Sequence, residues 1–179
     1  PGMATDEVLA LRAAAGDRRA FAELLAAHYA RIYRMAWRWC GTREAAEDVA
    51  QDVAIKLATA IRGFTGEAAF ATWLWRITYN TAIDQIRRGR RLALVGSDRP
   101  ASLGDGASFD TPEAKTLDAE LWSAVRALPP QQRDAVLLVY AEDMTHAEAA
   151  EVMNVSENTV SWHLHEARKT LKKRLEATE

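Results

Sequence analysis

The chain has 179 residues, 49% of them hydrophobic and 27% charged, with a formal net charge of −2 at pH 7. These values are ordinary for globular proteins, and the length suits one domain or two small ones. No apolar run approaches the roughly 18 residues of a membrane span, so we expect no membrane insertion. The single cysteine, Cys40, excludes an internal disulfide and predicts a buried structural thiol in a cytoplasmic protein.

Charge is distributed unevenly along the chain. Residues 61–91 carry six basic and two acidic side chains, whereas residues 92–130 carry three basic and six acidic ones. The small net charge argues against a protein that coats nucleic acid over its whole surface. The local excess of basic residues instead predicts a phosphate-facing patch beside an acidic tether.

Apolar residues recur at spacings of three and four through the N-terminal half, which predicts helices and no strand. The four predicted helices, bounded by capping residues and glycines, are 5–16, 17–40, 42–63 and 70–90. Asp17 and Thr42 are predicted N-caps. In the third helix a polar face with Asp48, Gln51 and Asp52 lies apart from the apolar face.

Residues 92–111 are rich in glycine, serine, proline and acidic residues. This composition predicts a flexible linker between two domains, 5–91 and 112–177. The second domain is predicted to hold helices over 112–128 and 130–141, followed by two shorter units. The fold class predicted for the whole chain is therefore all-α, with two small helical domains.

The last two units predict a helix-turn-helix. Thr145 and Glu148 fit a capping box, Asn154 suits a left-handed helix exit, and Ser156 can cap a final helix. In this motif the second helix enters the major groove of DNA. The candidate DNA-contacting residues are Glu157, Asn158, Thr159, Ser161, Trp162, His163, Arg168 and Lys169. An ordinary helical hairpin in a bundle is the alternative interpretation.

The fourth helix combines aromatic residues near its start with arginines at its end. Aromatic rings stack on bases and guanidinium groups bind phosphates, so the mixture suits single-stranded nucleic acid. The alternative is that the aromatic residues are core and the arginines are merely solvated. We expect Trp73 to be core and the cluster from Arg87 to Arg91 to be functional.

Four segments, in order, resemble one family. Residues 70–88 read Phe-x-x-Trp-Leu-x-x-Ile-x-x-Asn-x-x-x-Asp-x-x-Arg-Arg, similar to the promoter-melting and −10 recognition region of bacterial extracytoplasmic-function (ECF) sigma factors. Residues 46–53 (Ala-Glu-Asp-Val-Ala-Gln-Asp-Val) resemble the family's segment that binds the β′ clamp helices of RNA polymerase. Residues 128–133 and 148–168 resemble its −35-binding C-terminal domain.

The resemblance implies a non-enzymatic transcription initiation factor, without metal or cofactor, that directs core RNA polymerase to specific promoters. The implied partners are core polymerase (the β′ clamp helices and the β subunit), promoter DNA and an anti-sigma factor. The resemblance assigns polymerase binding to Asp48, Gln51 and Asp52. It assigns contact with the −10 element to Asn80, Asp84, Arg87, Arg88 and Arg91. The helix-turn-helix is implied to bind the −35 element.

One segment departs from the family pattern. The family usually carries basic residues on the recognition helix, roughly Val-Lys-Ser-Arg-Leu followed by an arginine. This chain has Val-Ser-Trp-His-Leu-His-Glu over 160–166. Because phosphate contacts dominate the affinity of DNA binding, we expect a weaker −35 contact or a changed sequence preference.

Three other functions are considered. A sigma-mimicking adaptor would sequester an anti-sigma factor without binding DNA. The lack of basic residues on the recognition helix favours this function, whereas the arginine cluster at 87–91 argues against it. A dimeric repressor would need a dimerisation surface that the sequence does not reveal. An enzyme is disfavoured because His163 and His165, two positions apart on a helix, face different ways.

Overall fold

A computed structural model describes residues 2–95 and 114–176. The chain divides into two compact units, Pro1–Ala101 and Ser102–Glu179. Every regular element within the described ranges is helical, so the predicted all-α class is confirmed. The division between the units falls inside the predicted linker. The linker's bounds stay a prediction, because residues 96–113 lie outside the described ranges.

The N-terminal unit is built from four helices and one short 3-10 turn. They are α1 (Gly2–Ala14), α2 (Arg18–Cys40), α3 (Arg43–Ala60), the 3-10 turn (Ile61–Gly63) and α4 (Phe70–Leu94). Helix α2 packs on α1, α3 and α4, and α3 also packs on α4. These helices enclose a core whose fully buried side chains include Leu24, Ile32, Met35, Val49, Val53, Leu57, Phe70 and Leu74.

The predicted caps of this unit are confirmed. The Asp17 carboxylate accepts hydrogen bonds from the backbone N–H groups of Arg19 and Ala20, at 3.0 Å each. These bonds and the Arg12 guanidinium hold the pKa of Asp17 below its ordinary value, the Ala20 N–H having the largest effect. Gly41 ends α2 in the left-handed region at φ 74°, and Thr42 then accepts from the Ala45 N–H.

Two carboxylates of α1 make polar contacts with the rest of the unit. Glu7 Oε1 accepts a hydrogen bond from the backbone N–H of Phe70 at 2.9 Å, and Asp6 Oδ2 lies 2.8 Å from His28 Nε2. Ala69, the residue before α4, provides no side-chain cap, so Glu7 satisfies a free N–H at the start of α4 from 63 positions away. A negative charge at this end also complements the helix dipole.

The C-terminal unit contains four further helices. They are α5 (Ala114–Arg126), α6 (Pro130–Val136, continued by a π-helical turn over Leu137–Ala141), α7 (His146–Met153) and α8 (Glu157–Glu176). Helix α8 packs on α5, α6 and α7. The core between them includes Ala135, Leu137, Leu138, Val160, Leu164 and Ala167.

The capping interactions predicted for the helix-turn-helix are present. Thr145 Oγ1 accepts from the Glu148 N–H at 3.2 Å, and Glu148 Oε2 accepts from the Thr145 N–H at 2.8 Å. Asn154 adopts the left-handed conformation at φ 55° and ψ 49° and ends α7. Ser156 then accepts from the Thr159 N–H at 3.1 Å, which begins α8. The motif is therefore set by local side-chain chemistry.

A charged pair lies inside the C-terminal unit. Arg133 and Asp134 have side chains only 5% and 4% exposed, and Arg133 Nη2 lies 2.8 Å from Asp134 Oδ1. Isolated buried charges are costly, whereas a paired and hydrogen-bonded arrangement is tolerated. The pair thus neutralises two charges inside the core of the unit.

Some expectations differ from the structure in detail. Helix α4 continues to Leu94, three residues into the segment predicted as linker. Trp73 is only half-buried, although its ring lies 5.4 Å from that of Phe64 and 6.0 Å from that of Phe70. Cys40 is likewise half-buried rather than fully buried. Among the described residues, no helix is long and apolar enough to cross a membrane.

Candidate polymerase and nucleic-acid interfaces

The polar face of α3 is presented to solvent. Asp48 and Gln51 are exposed and Asp52 is half-buried, and the three lie within one helical turn. Ile55, one turn further along the same face, is 68% exposed. Sequence reasoning missed Ile55. The sequence does indicate it, because Ile55 lies seven positions after Asp48 and four after Gln51 and is therefore an isoleucine on a polar face.

The predicted −10 residues form one exposed face on the second half of α4. Asn80, Asp84, Arg87 and Arg91 follow spacings of four, three and four, and Arg88 lies one turn beyond Asp84. All five are exposed. The structure therefore brings together a short polar segment and a cationic one on the same side of a helix.

Helix α4 is held in place by its opposite face. Thr78 and Thr81 are buried, and each hydroxyl donates to a backbone carbonyl one turn back. Lys56 Nζ on α3 donates to Thr81 Oγ1 at 3.0 Å. The exposed face of α4 thus stands on a helix fixed against α3, the helix that carries Asp48 and Asp52.

The first turns of α8 present most of the predicted DNA-contacting residues. Glu157, Asn158 and Ser161 are exposed, Thr159 is half-buried, and Trp162 is 58% exposed. Ser161 Oγ lies 2.9 Å from His146 Nδ1, so a polar contact joins the two helices of the motif at the surface.

The structure corrects one member of this set. His163 is only 7% exposed and lies on the buried face of α8 with Val160, Leu164 and Ala167. Its Nδ1 atom is buried without a hydrogen-bond partner among the described residues. Burial lowers the pKa of His163, and the Asp134 carboxylate partly opposes that change. His163 is thus a core residue, as its spacing of three from Val160 already indicated.

Arg168 and Lys169 are exposed but already have partners. Arg168 Nη2 donates to the Tyr140 hydroxyl, and its guanidinium carbon lies 5.8 Å from the centre of the Tyr140 ring. Lys169 Nζ lies 3.1 Å from Glu166 Oε1. Contact with a phosphate would compete with these interactions, which are themselves exposed and therefore weak.

The lack of lysine and arginine over 160–166 extends back through the turn and α7. Between Arg133 and Arg168 the chain has no lysine or arginine. The same stretch contains seven acidic residues: Asp134, Glu142, Asp143, Glu148, Glu151, Glu157 and Glu166. Five of them are exposed or half-buried at the surface, while Asp134 and Glu142 are buried. Residues 146–167, which span α7, the turn and the first half of α8, therefore carry four acidic side chains and no lysine or arginine, whereas the five basic residues of α8 all follow from Arg168 onward.

No group of three or more histidine, cysteine, aspartate or glutamate side chains suited to a metal ion occurs within the described residues. His146 lies at hydrogen-bond distance from Ser161 and His28 from Asp6, and the His28 ring also packs against the rings of Phe70 and Trp75. The exposed faces of α3, α4 and α8 are therefore the candidate functional surfaces of the described residues.

Two family models match the chain. Sigma-70 region 2 matches residues 24–92, and sigma-70 region 4 matches residues 118–171. The first range covers most of the N-terminal unit and includes the faces of α3 and α4. The second covers most of α5 and all of the helix-turn-helix up to Leu171.

Full-length relatives agree with the family models. The RNA polymerase sigma-H factor of Pseudomonas aeruginosa is 32% identical over 181 aligned positions, covering 96% of this chain and 94% of that protein. The ECF sigma factor SigW of Bacillus subtilis is 29% identical, covering 89% and 91%. The ECF sigma-E factor of Escherichia coli is 29% identical, covering 93% and 92%.

Solved structures show the same fold. CnrH, in a structure with the cytosolic domain of CnrY, is 28% identical with a TM-score of 0.73, covering 98% of this chain and 99% of that one. The sigma factor RpoE of Bartonella quintana, in complex with the anti-sigma factor NepR, also gives 0.73 at 20% identity, covering 89% and 98%. The fold and the two matched regions define a sigma-70-type protein. This chain belongs to the ECF sigma factors.

Proposed function

We propose that this chain directs core RNA polymerase to specific promoters and helps melt the −10 element. The observation that carries the proposal is the coexistence of both sigma regions in one chain with the exposed faces of α3 and α4. No catalytic role is needed, because such a factor acts through binding. Its site of action would be the bacterial cytoplasm, where the polymerase is.

The α3 face is the proposed polymerase contact. Asp48, Gln51 and Asp52 offer acidic and amide groups to the β′ clamp helices, and Ile55 adds an exposed apolar group beside them. Charged groups around an apolar contact favour fast and specific association. Contacts with the β subunit are proposed on the family resemblance alone.

The α4 face is the proposed −10 contact. Asn80 and Asp84, which come first along α4, offer polar groups to unpaired bases, and the three arginines beyond them offer charge to the backbone of the strand. Single-stranded nucleic acid is commonly bound by cationic grooves of this kind. Because α3 packs on α4 and Lys56 bonds to Thr81, the two proposed contacts lie on helices that support each other.

The helix-turn-helix is the proposed −35 contact, through α8. Of the eight residues of α8 that the sequence predicts to contact DNA, His163 is removed because it is buried. A weak −35 contact by this unit is sufficient when the rest of the chain is bound to polymerase. The bound polymerase then holds the unit at a high effective concentration near the −35 element, which raises the overall affinity without new contacts.

An anti-sigma factor is the proposed regulatory partner. CnrH, similar to this chain over nearly its whole length, has a solved structure with the cytosolic domain of CnrY. That structure supports a protein partner for this chain as well. Membership of the ECF family indicates that this partner is an anti-sigma factor.

A second candidate is the sigma-mimicking adaptor. The absence of lysine and arginine between Arg133 and Arg168 favours it, since acidic surfaces repel phosphates. The exposed arginines at the end of α4 argue for contact with DNA. An adaptor would bind an anti-sigma factor but support no promoter opening.

Titration of labelled protein with purified core polymerase tests the polymerase contact. The double variant Asp48→Asn and Asp52→Asn should lose affinity by on the order of tenfold, because two charges are removed from the contact. Glu67→Gln, an exposed acid in the loop before α4, is the matched control and should bind as wild type does. Equal affinity of all three proteins would contradict the assignment of the α3 face.

A further inference from the structure

The exposed side of α8 is defined by four residues. Three exposed residues lie three, four and seven positions after the exposed Asn158, namely Ser161, Trp162 and His165. These spacings put all four on one side of the helix, which we term the recognition face. Val160 and Leu164 on the other side are buried. In a helix-turn-helix, the N-terminal residues of the second helix reach the base edges. The recognition face is therefore the part of α8 that would meet DNA bases.

The recognition face has no lysine or arginine to read guanine. Guanine is most often read by a bidentate contact from arginine or lysine to its O6 and N7 atoms. The first cationic side chain of α8 is Arg168, about 15 Å along the helix axis from Asn158. Its guanidinium also contacts Tyr140. No lysine or arginine of α8 is therefore placed to contact the bases nearest the start of the helix.

The same face carries groups suited to adenine and thymine. The Asn158 amide can donate to adenine N7 and accept from adenine N6, the usual bidentate pair for this base. Trp162 exposes 58% of its surface, and the thymine methyl is the apolar group that the major groove offers to such a ring.

The orientation of these side chains is restricted by their neighbours. The Trp162 ring lies 5.0 Å from the ring of His163 at an interplanar angle of 65°, and His163 is itself buried. Ser161 is held by His146 of α7. A ring supported by a core residue costs less conformational entropy to place against a base than a free one.

We propose that the recognition face selects an A·T-containing −35 element over a guanine-containing one, with Asn158 selecting adenine and Trp162 selecting thymine. The inference rests on the proposed function, since it specifies what the helix-turn-helix reads. An exposed tryptophan is also typical of protein–protein contacts, which makes a protein-docking role the competing outcome.

The test uses holoenzyme assembled from core polymerase and the full chain on a promoter library randomised over both elements. Templates of the transcripts are sequenced for wild type, Asn158→Ala and Trp162→Ala. Gln131→Ala is the matched control, since it removes an exposed amide from α6 rather than from α8. Trp162→Phe keeps an apolar ring, and far-UV circular dichroism of each variant checks that the helices are retained.

We expect wild type to select adenine and thymine in the −35 element, each by about 5- to 150-fold over guanine. Asn158→Ala should erase only the adenine preference and Trp162→Ala only the thymine preference. Trp162→Phe and Gln131→Ala should keep the wild-type pattern.

Strong selection of guanine by wild type would overturn the inference, as would a conserved −10 element with no −35 preference. The second result would leave Trp162 as a protein contact while the proposed function stood. Absence of any transcript that depends on the chain would reject the proposed function, and the inference with it.

Discussion

The end of α4 and the start of α8 are both proposed to contact DNA, yet their charges are opposite. From Arg87 to Arg91 the chain carries four exposed arginines in five residues, whereas no lysine or arginine occurs from Asp134 to Ala167. Phosphate contacts provide most of the affinity of DNA binding and base contacts provide most of its specificity. We therefore expect the arginines of α4 to contribute mainly affinity, and the start of α8 to contribute mainly selection of bases.

The difference also bears on how promoter recognition is ordered. A helix-turn-helix whose recognition helix begins with acidic and neutral residues gains little there from non-specific attraction to DNA, so we expect it to bind only when polymerase and α4 have brought it close. A conventional basic motif would bind duplex DNA on its own. The full chain without polymerase should accordingly show little affinity for duplex DNA.

The largest expected effect comes from removing charge from α4. The double variant Arg87→Ala and Arg88→Ala should reduce open-complex formation by on the order of tenfold or more, because two contacts to the strand are lost. The slope of log affinity against log salt should fall by about 1.4, at about 0.7 per contact with a single strand. Permanganate reactivity of −10 thymines, measured over a salt series, provides both values.

Arg62→Ala is the control for that variant, since Arg62 is an exposed arginine of the 3-10 turn. It should open promoters as wild type does. Core polymerase binding should be unchanged in both proteins. Undiminished promoter opening in the α4 double variant would remove the arginine cluster from the proposed interface.

The next effect comes from adding charge to α8. Ser161→Arg should strengthen −35 binding by about fivefold and introduce a preference for guanine, since arginine supplies both a phosphate partner and a bidentate guanine reader. Ser161→Gln, which lengthens the side chain without charge, is the control. Binding of holoenzyme to promoter variants, measured by competition, checks the prediction. An unchanged affinity and preference would show that Ser161 does not face the DNA.

A smaller effect is expected from the cap between α1 and α4. Glu7→Ala removes the acceptor of the Phe70 N–H and should reduce the free energy of unfolding of the N-terminal unit by about 1 kcal/mol. For a unit of this size that corresponds to about 4–8 °C in Tm. Glu23→Ala, an exposed acid on α2, should leave Tm within about 2 °C of wild type. Thermal unfolding by circular dichroism tests the cap, and equal Tm values for the two variants would reject it.

The smallest effect concerns His163. Because burial holds its pKa below the ordinary value of 6.5, the unfolded chain binds a proton first as the pH falls. The contribution of neutral His163 to stability is complete above that value and is lost as the pH decreases toward the folded pKa. The fall in Tm between about pH 7.5 and pH 5.5 should therefore be smaller in His163→Leu than in wild type. His165→Leu, an exposed histidine two positions on, should retain the wild-type dependence.

Local chemistry explains why so much of the fold was predictable. Asp17, Thr42, Thr145 and Asn154 determine helix ends through contacts with residues two to five positions away, so the sequence alone reveals them. The cap that Glu7 provides for α4 joins residues 63 positions apart. Such a contact depends on how α1 packs, and no local pattern indicates it.

The candidate sites were predicted less completely than the fold. The spacing of Asp48, Gln51 and Asp52, and of Asn80, Asp84 and Arg87, placed each group on one exposed face because helical periodicity decides which side chains share a side. His163 was placed at the DNA although the same periodicity puts it with Val160 and Leu164 in the core. The partners of Arg168 and Ser161 come from α6 and α7 and required tertiary structure.

The central claim, that this chain confers promoter specificity on core polymerase, is tested most directly by run-off transcription over random promoters with and without the protein. We predict transcripts that appear only when the chain is present and that share paired −35 and −10 elements. Tight binding to an anti-sigma factor without binding to core polymerase, and without any such transcript, would contradict the claim and support the adaptor.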